Sequence, residues 1–374
     1  LIFLGWEIAD EFHKFKDENG GFISSLTTDI SCMLCLYEAT HLRTHGEDIL
    51  NEALAFTTSH LKFILAKDES FLLRRQVEHA LVQPYHKGLS RLEAKHYISF
   101  YQENEEHNKT LLKFAKMDFY VVRSLHLKEL SDITVWWREI VPGLPFVRDR
   151  VMEGYFWILG VYFDPHYVVS RMIATKIIAM LSILDDIYDV YGTFEELQLL
   201  TDPFERWDIS TIDGLPEYMK LVYCSTLNPY NKVEEKCSKK GRLYRLDYAK
   251  EGYVPTTKEY LSIALVSCGY DKLSITSFLG MGDNVTKAAF DWVNSTPLIL
   301  QAIQIICRVT DDIKLHKFEQ ERVHVASVLE CYMKECDVSE PEACHELSKM
   351  IEKAWNDVNQ EIVSLSAPPR HILV

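Results

Sequence analysis

The chain has 374 residues, with 40 Lys+Arg against 55 Asp+Glu and a formal net charge of −15. That acidic excess excludes nucleic acid as a partner, because a phosphate backbone selects a basic face. A content of 47% hydrophobic and 25% charged residues excludes a disordered chain, and only 15 Gly and 12 Pro leave few turn signals.

The first residues, Leu1-Ile2-Phe3-Leu4-Gly5-Trp6, lack the basic flank and cleavage site of a secretory signal, and look like the cut edge of something longer. Nine scattered cysteines read as reduced thiols of a cytoplasmic protein. Cys32 and Cys35 have no second C-x-x-C to complete a zinc site. Apolar residues three and four apart over 49–65 and 71–81 predict amphipathic helices. The polar stretch 102–109 then separates two helical territories and divides the chain into domains 1–104 and 105–374. A long helical pattern comes next over 111–136, broken at Gly143 and Pro145. Apolar helix resumes over 151–184, interrupted by Asp164-Pro165, and further helices are predicted over 217–223, 257–267, 297–308 and 341–363. Alternating strand patterns are nearly absent, so the fold class is all-α. The longest apolar run, 177–184, is too short to cross a bilayer, and no membrane insertion is expected.

Chemistry concentrates where apolar helices end. Asp185-Asp186-Ile187-Tyr188-Asp189 comes directly after such a run, and on a helix Asp185 and Asp189 project from one face. Like charges at that spacing repel, and a hard cation such as Mg²⁺ relieves them. Taken alone, the cluster reads equally as a solvated acidic helix end. A second cluster, Asp311-Asp312 with Glu319, lies two turns long on another apolar helix. Arg148-Asp149-Arg150 and Arg308 add guanidinium groups, which bind phosphate oxygens bidentately. Acids for metal, arginines for diphosphate and an apolar well together describe a prenyl diphosphate pocket.

These residues stand in motifs that resemble the plant class I terpene synthases, most of all the sesquiterpene cyclases. The matching segments are Leu144-Pro145-Phe146-Val147-Arg148-Asp149-Arg150, Tyr155-Phe156-Trp157, Asp185-Asp186-Ile187-Tyr188-Asp189, Phe278-Leu279-Gly280-Met281-Gly282 and His316-Lys317-Phe318-Glu319-Gln320-Glu321-Arg322. The resemblance implies an N-terminal helical domain followed by a class I bundle around a central cavity. It implies Mg²⁺-dependent ionisation of farnesyl diphosphate, cyclisation of the carbocation, and release of a sesquiterpene and diphosphate. Three Mg²⁺ ions are implied, with Mn²⁺ as a substitute: Asp185 and Asp189 as ligands with Asp186 in support, then Asp311 and Glu319. Arg148, Arg150 and Arg308 would grip the diphosphate. Trp157 would form part of the aromatic wall, with Phe278 and Tyr270 as further pocket candidates. Catalysis would rest on Arg148, Arg150, Trp157 and Asp185, in a cytoplasmic monomer.

Departures matter too. The family's second motif places an oxygen ligand where this chain has Leu315, which predicts weakened metal affinity. Against the family, a helical segment near 247–252 and helices beyond Val374 look absent, as does the family's N-terminal Arg-Arg-plus-Trp motif. Pro203 and Pro229 fall where helix is expected. Poor activity is the expectation. Two alternatives stay open: a prenyl chain-elongating synthase, although Asp311-Asp312 lacks a matching third Asp, and a catalytically silent helical binding protein.

Overall fold

The computed structural model describes residues 8–66, 71–206, 209–231, 254–279, 281, 285–320 and 326–363. Among these, the regular structure is helical, apart from an isolated bridge between Lys16 and Phe22. The all-α reading holds. Contacts divide the chain into two compact units, Leu1–Val121 with Asn356–Ala367, and Val122–Trp355 with Pro368–Val374.

The first unit contains α1 (Ile8–His13), α2 (Ile30–Thr40), α3 (Asp48–Leu65), α4 (Phe71–Val82), α5 (Ser90–Glu103) and the start of α6 (Lys109–Ile140). The expected boundary at 104 lies between α5 and α6, whereas the division by contact falls inside α6. Asp29 caps α2 by accepting the Cys32 N–H at 2.9 Å. Met33, Leu50, Leu61 and Val77 close the core between α2, α3 and α4. Asn359, assigned to this unit, donates from Nδ2 to the carbonyls of His41 at 2.9 Å and Arg43 at 2.8 Å.

A histidine pair joins α4 to α5. His79 meets the Glu93 carboxylate at 2.8 Å and stacks on His96 with ring centroids 3.8 Å apart. The His96 Nε2 is enclosed and has no hydrogen-bond partner among the described residues. Burial, then repulsion from His79, holds the His96 imidazole below its ordinary value, and Glu93 opposes this only in part. A group lowered in the folded state favours folding while neutral. Its contribution is therefore intact above the unfolded value near ~6.5 and is lost as pH falls through it. The expected result for His96→Leu is a flatter loss of stability between pH 7 and pH 5, read from urea midpoints at each pH.

The second unit continues α6 and adds α7 (Val151–Val161), α8 (Val168–Asp186), α9 (Phe194–Arg206), α10 (Glu217–Asn231), α11 (Thr257–Ser267), α12 (Tyr270–Phe278), α13 (Lys287–Asn294), α14 (Leu298–Glu319), α15 (Val328–Cys336) and most of α16 (Glu340–Val363). Its main core joins Ile133 and Trp137 of α6, Tyr155 of α7, Met180 and Ile183 of α8, Leu200 of α9 and Val222 of α10. Helix starts are written locally: Thr256 with Glu259 and Ser327 with Glu330 form capping boxes at α11 and α15. The helical pattern runs on through Pro203, which is buried, and the Tyr223 hydroxyl donates to its carbonyl at 2.9 Å. Pro229 lies within α10. The region 247–252 lies outside the described residues.

The helical stretch Pro165–Asp186 is long and apolar enough to cross a membrane, which run length alone did not suggest, but half of it is buried inside the fold. It also carries Arg171, fully buried, whose Nε and Nη2 donate to the two Glu129 oxygens at 2.8 Å each. Tyr155 donates to the same carboxylate at 2.9 Å, and Arg171 Nη1 reaches the Asp164 carbonyl at 2.6 Å. A buried guanidinium paired in this way marks a core helix. Arg171→Met should cost about 3–5 kcal/mol by stranding Glu129, and adding Glu129→Leu should recover most of it. A double-mutant cycle in urea reads both.

Candidate active site

The loop from α6 to α7 ends on Arg148-Asp149-Arg150, and its placement comes from the groups its neighbours bury. Leu144 is fully buried, and Asp149 accepts the Trp137 indole N–H at 2.9 Å. Phe146 stacks on Tyr191 at 3.7 Å, and Tyr218 meets both rings edge-on at 5.6 and 5.3 Å. This aromatic clamp ties the loop to the segment after α8.

Asp186, at the end of α8, is 5% exposed. It accepts Arg148 Nε at 2.7 Å, Arg148 Nη2 in a shorter contact, and the Arg148 backbone N–H at 3.3 Å. Asp185, one residue earlier and about 100° around the axis, is exposed. Beyond Asp186 the helix widens over Ile187–Tyr191, and the Gly192 N–H closes it on the Ile187 carbonyl at 2.8 Å. Space there is tight: a Cβ on Gly192 would lie 2.7 Å from Leu197 Cδ2 and 3.0 Å from the Ile187 oxygen, so a larger residue would have to push Leu197 aside. The expected one-face spacing of Asp185 and Asp189 assumed a regular helix, whereas Asp189 stands in the widened turn, where four steps still come to about one full revolution. The Asp189 side chain lies outside the described residues.

The second cluster repeats the division of labour. Asp312, 3% exposed, accepts the Tyr260 hydroxyl and the Val328 N–H, each at 2.8 Å, and Arg308 Nη1 at 3.4 Å. Asp311 is half-exposed, 3.7 Å from Arg308 Nη1. Burial would lower the Arg308 guanidinium, but Tyr260, Asp312 and Asp311 outweigh it and hold the charge firmly. Glu319 lies two turns further on, at the end of α14.

The two clusters act on each other. Burial raises the Asp311 carboxyl; Arg308 pulls it down, Asp312 and Asp185 push it up, and Arg150 pulls it down. Asp185 from α8, Arg150 from the loop, and Arg308 and Asp311 from α14 therefore share one electrostatic neighbourhood. Among the described residues no group of three His, Cys, Asp or Glu stands ready to enclose a metal. The donor chemistry still fits a hard divalent cation: Asp185 raises the Asp311 carboxyl, and carboxylates that repel each other gain from a positive charge nearby.

Of the remaining expected residues, Trp157 is 42% exposed on α7, and Arg150 makes a long 3.9 Å contact with Glu153. Phe278, by contrast, is 6% exposed and set edge-on against Phe290 at 5.6 Å, inside a core cluster. Asp186 and Asp312 were expected beside metal or unassigned; their partners show them anchoring arginines. Phe146, Tyr191 and Tyr218 stand in or beside the matching motifs but carried no assigned role, and Tyr260 carried no signal, since aromatics this frequent do not announce which ones clamp.

Residues 139–357 match the terpene synthase family metal-binding domain, and residues 5–81 match the terpene synthase N-terminal domain. This chain belongs to the terpene synthase family. It is 53% identical to a (−)-germacrene D synthase of Vitis vinifera, with 99% of this chain and 70% of that one aligned. It is 48% identical to a (+)-delta-cadinene synthase of Gossypium arboreum, over 98% and 69%. Among solved terpene synthases, isoprene synthase from grey poplar, in complex with three Mg²⁺ ions and dimethylallyl-S-thiolodiphosphate, superposes with TM-score 0.89 at 31% identity, covering 99% of this chain and 75% of that one. Limonene synthase with 2-fluorolinalyl diphosphate gives TM-score 0.90 at 30% identity, over 98% and 72%.

In a terpene synthase built this way, Asp186 orients Arg148. Asp186→Ala is expected to lower kcat roughly ten- to a hundredfold while metal affinity, read by calorimetry with Mg²⁺ alone, changes less than about twofold. A parallel loss of metal affinity would make Asp186 a ligand.

Proposed function

We propose that this chain is a sesquiterpene synthase: a lyase that ionises farnesyl diphosphate, cyclises the cation and releases a sesquiterpene with diphosphate. The observation that carries this reading is the shared neighbourhood of Asp185, Asp311, Arg150 and Arg308 at the ends of apolar helices. Relatives named for sesquiterpene products, at about half identity over nearly the whole chain, support it.

Asp185, Asp189, Asp311 and Glu319 would hold Mg²⁺, with Mn²⁺ as a substitute, and we carry over the count of three ions from the isoprene synthase complex. Bound there, the metal supplies Lewis-acid neutralisation of the departing diphosphate. The chain's own part is electrostatic and steric. Arg148, fixed by Asp186, and Arg308, fixed by Asp312, present pre-oriented guanidinium groups to phosphate oxygens, and Arg150 adds a third. Trp157 offers a ring face to the positive charge left on the hydrocarbon, a contact contributing about 0.5–2 kcal/mol. We place the protein in the cytoplasm as a monomer.

Leu315, half-exposed one turn after Asp311, offers no oxygen and bears on how tightly α14 holds its ion. That favours a second reading, slow turnover, over full activity. Incubation with farnesyl and geranyl diphosphate, with and without Mg²⁺, followed by product analysis, decides the activity. Isopentenyl diphosphate consumption would instead reveal chain elongation. Asp185→Ala should abolish turnover. Leu315→Ser should lower the half-saturating Mg²⁺ concentration at least about threefold, and an unchanged titration would remove Leu315 from the argument.

A further inference from the structure

Two tyrosines of the widened turn reach different neighbours. Tyr188 donates its hydroxyl to Thr201 of α9 at 2.9 Å, since the Thr201 hydroxyl itself donates to the Leu197 carbonyl at 2.8 Å. Tyr191 stacks on Phe146 of the arginine loop with the ring planes 14° apart. Tyr218, in the first turn of α10, stands across both rings at 83° and 89°. Its hydroxyl donates to Glu196 Oε2 at 3.1 Å, and that carboxylate also accepts the Thr193 N–H at 3.0 Å. The Glu196 N–H returns to the Thr193 hydroxyl at 3.3 Å, so the anchor is a capping box at the start of α9. Turn and loop are thereby both fastened to α9, a helix that carries none of the expected site residues.

We infer that Tyr191, stacked on Phe146 and braced by Tyr218, is a positioning residue: it sets Arg148 and Arg150 in register with Asp185 before any substrate is bound. This rests on the sesquiterpene synthase reading and deepens it. The Arg148–Asp186 pair alone does not fix a loop, because one contact leaves a segment free to pivot about it. The Arg148 side chain is also 43% exposed, where solvent weakens an ion pair. Trp137 holds the next residue, Asp149, and the Phe146–Tyr191 stack holds the chain two residues before Arg148. That stack connects the loop to the chain beyond Asp186, where the widened turn sets the direction of the backbone. Tyr191 is 48% exposed, and a ring that open gains by covering the face of another. Guanidinium groups already in place need no reorganisation when a diphosphate departs, and a displacement of about 1 Å can cost on the order of a hundredfold in rate.

The test uses the whole chain. Hydrogen exchange without metal or substrate reads the Val147 and Arg148 amides, which donate to the Leu144 carbonyl at 3.1 Å and to Asp186 at 3.3 Å. In Tyr191→Leu both should exchange at least about tenfold faster, with the α8 amides of 171–177 unchanged. With Mg²⁺ present, the same variant should bind inorganic diphosphate about fivefold more weakly and lose about tenfold in kcat with farnesyl diphosphate. Tyr191→Phe keeps the stack and should bring all three readouts to within about twofold of the parent. Phe146→Leu should reproduce Tyr191→Leu, and combining the two should worsen either by less than about twofold. Full additivity, or slower turnover with loop exchange unchanged, would make Tyr191 merely structural and overturn the inference. Should Tyr191→Leu fail to fold, Phe146→Leu reads the same stack from the loop side, and unchanged exchange there overturns the inference too. A parent that binds no inorganic diphosphate overturns the synthase reading itself, whatever the loop does.

Discussion

A carboxylate withdrawn from water must be matched where it lies, and the candidate site is organised around two that are. Asp186 and Asp312 are almost fully buried, and an unpaired charge at either place would cost several kcal/mol. Each is satisfied by an arginine and by a backbone N–H: Arg148 and its own amide for Asp186, Arg308 and the Val328 amide for Asp312. The preceding residue in each doublet lies about 100° away around the helix and reaches the rim. Pairs of aspartates thus do two jobs at once. The inner member fixes the direction of a guanidinium group, and the outer member stands exposed to solvent.

The scaffold that holds α8 in place obeys the same rule at greater depth. Arg171, Glu129 and Tyr155 connect α8, α6 and α7 through a fully satisfied polar knot, surrounded by the apolar core of the second unit. Such a knot contributes less to net stability than hydrophobic residues of the same volume could, but it admits a single arrangement of three helices. Asp185 lies at the end of α8, the arginine loop follows α6, and Trp157 stands within α7.

Helix class and most helix spans were legible in the sequence, because an apolar stripe at 3.6-residue period survives in every long helix here. The doublets were legible as well, since two acids after an apolar run have few uses. The task of each acid was not. Asp185 and Asp186 look alike as letters, and only the direction of a side chain around the axis separates a rim residue from an anchor. Phe278 shows a second limit: the resemblance made it a pocket candidate, and the letters do not tell that it packs with Phe290 and Leu279 in a buried cluster. The contact boundary inside α6 was hidden for a related reason: a continuous helix gives no local signal where one core stops and another starts.

The widened turn over Ile187–Tyr191 sets the phase of the chain beyond it. A turn that closes on the fifth residue absorbs one extra position, so the chain leaves α8 about 100° out of step with a regular helix. Removing a single residue from that turn would return the helix to phase and rotate Gly192 away from Leu197, against which it packs closely. The length of this short segment is therefore as binding as its composition, because the backbone beyond Asp186 takes its direction from it.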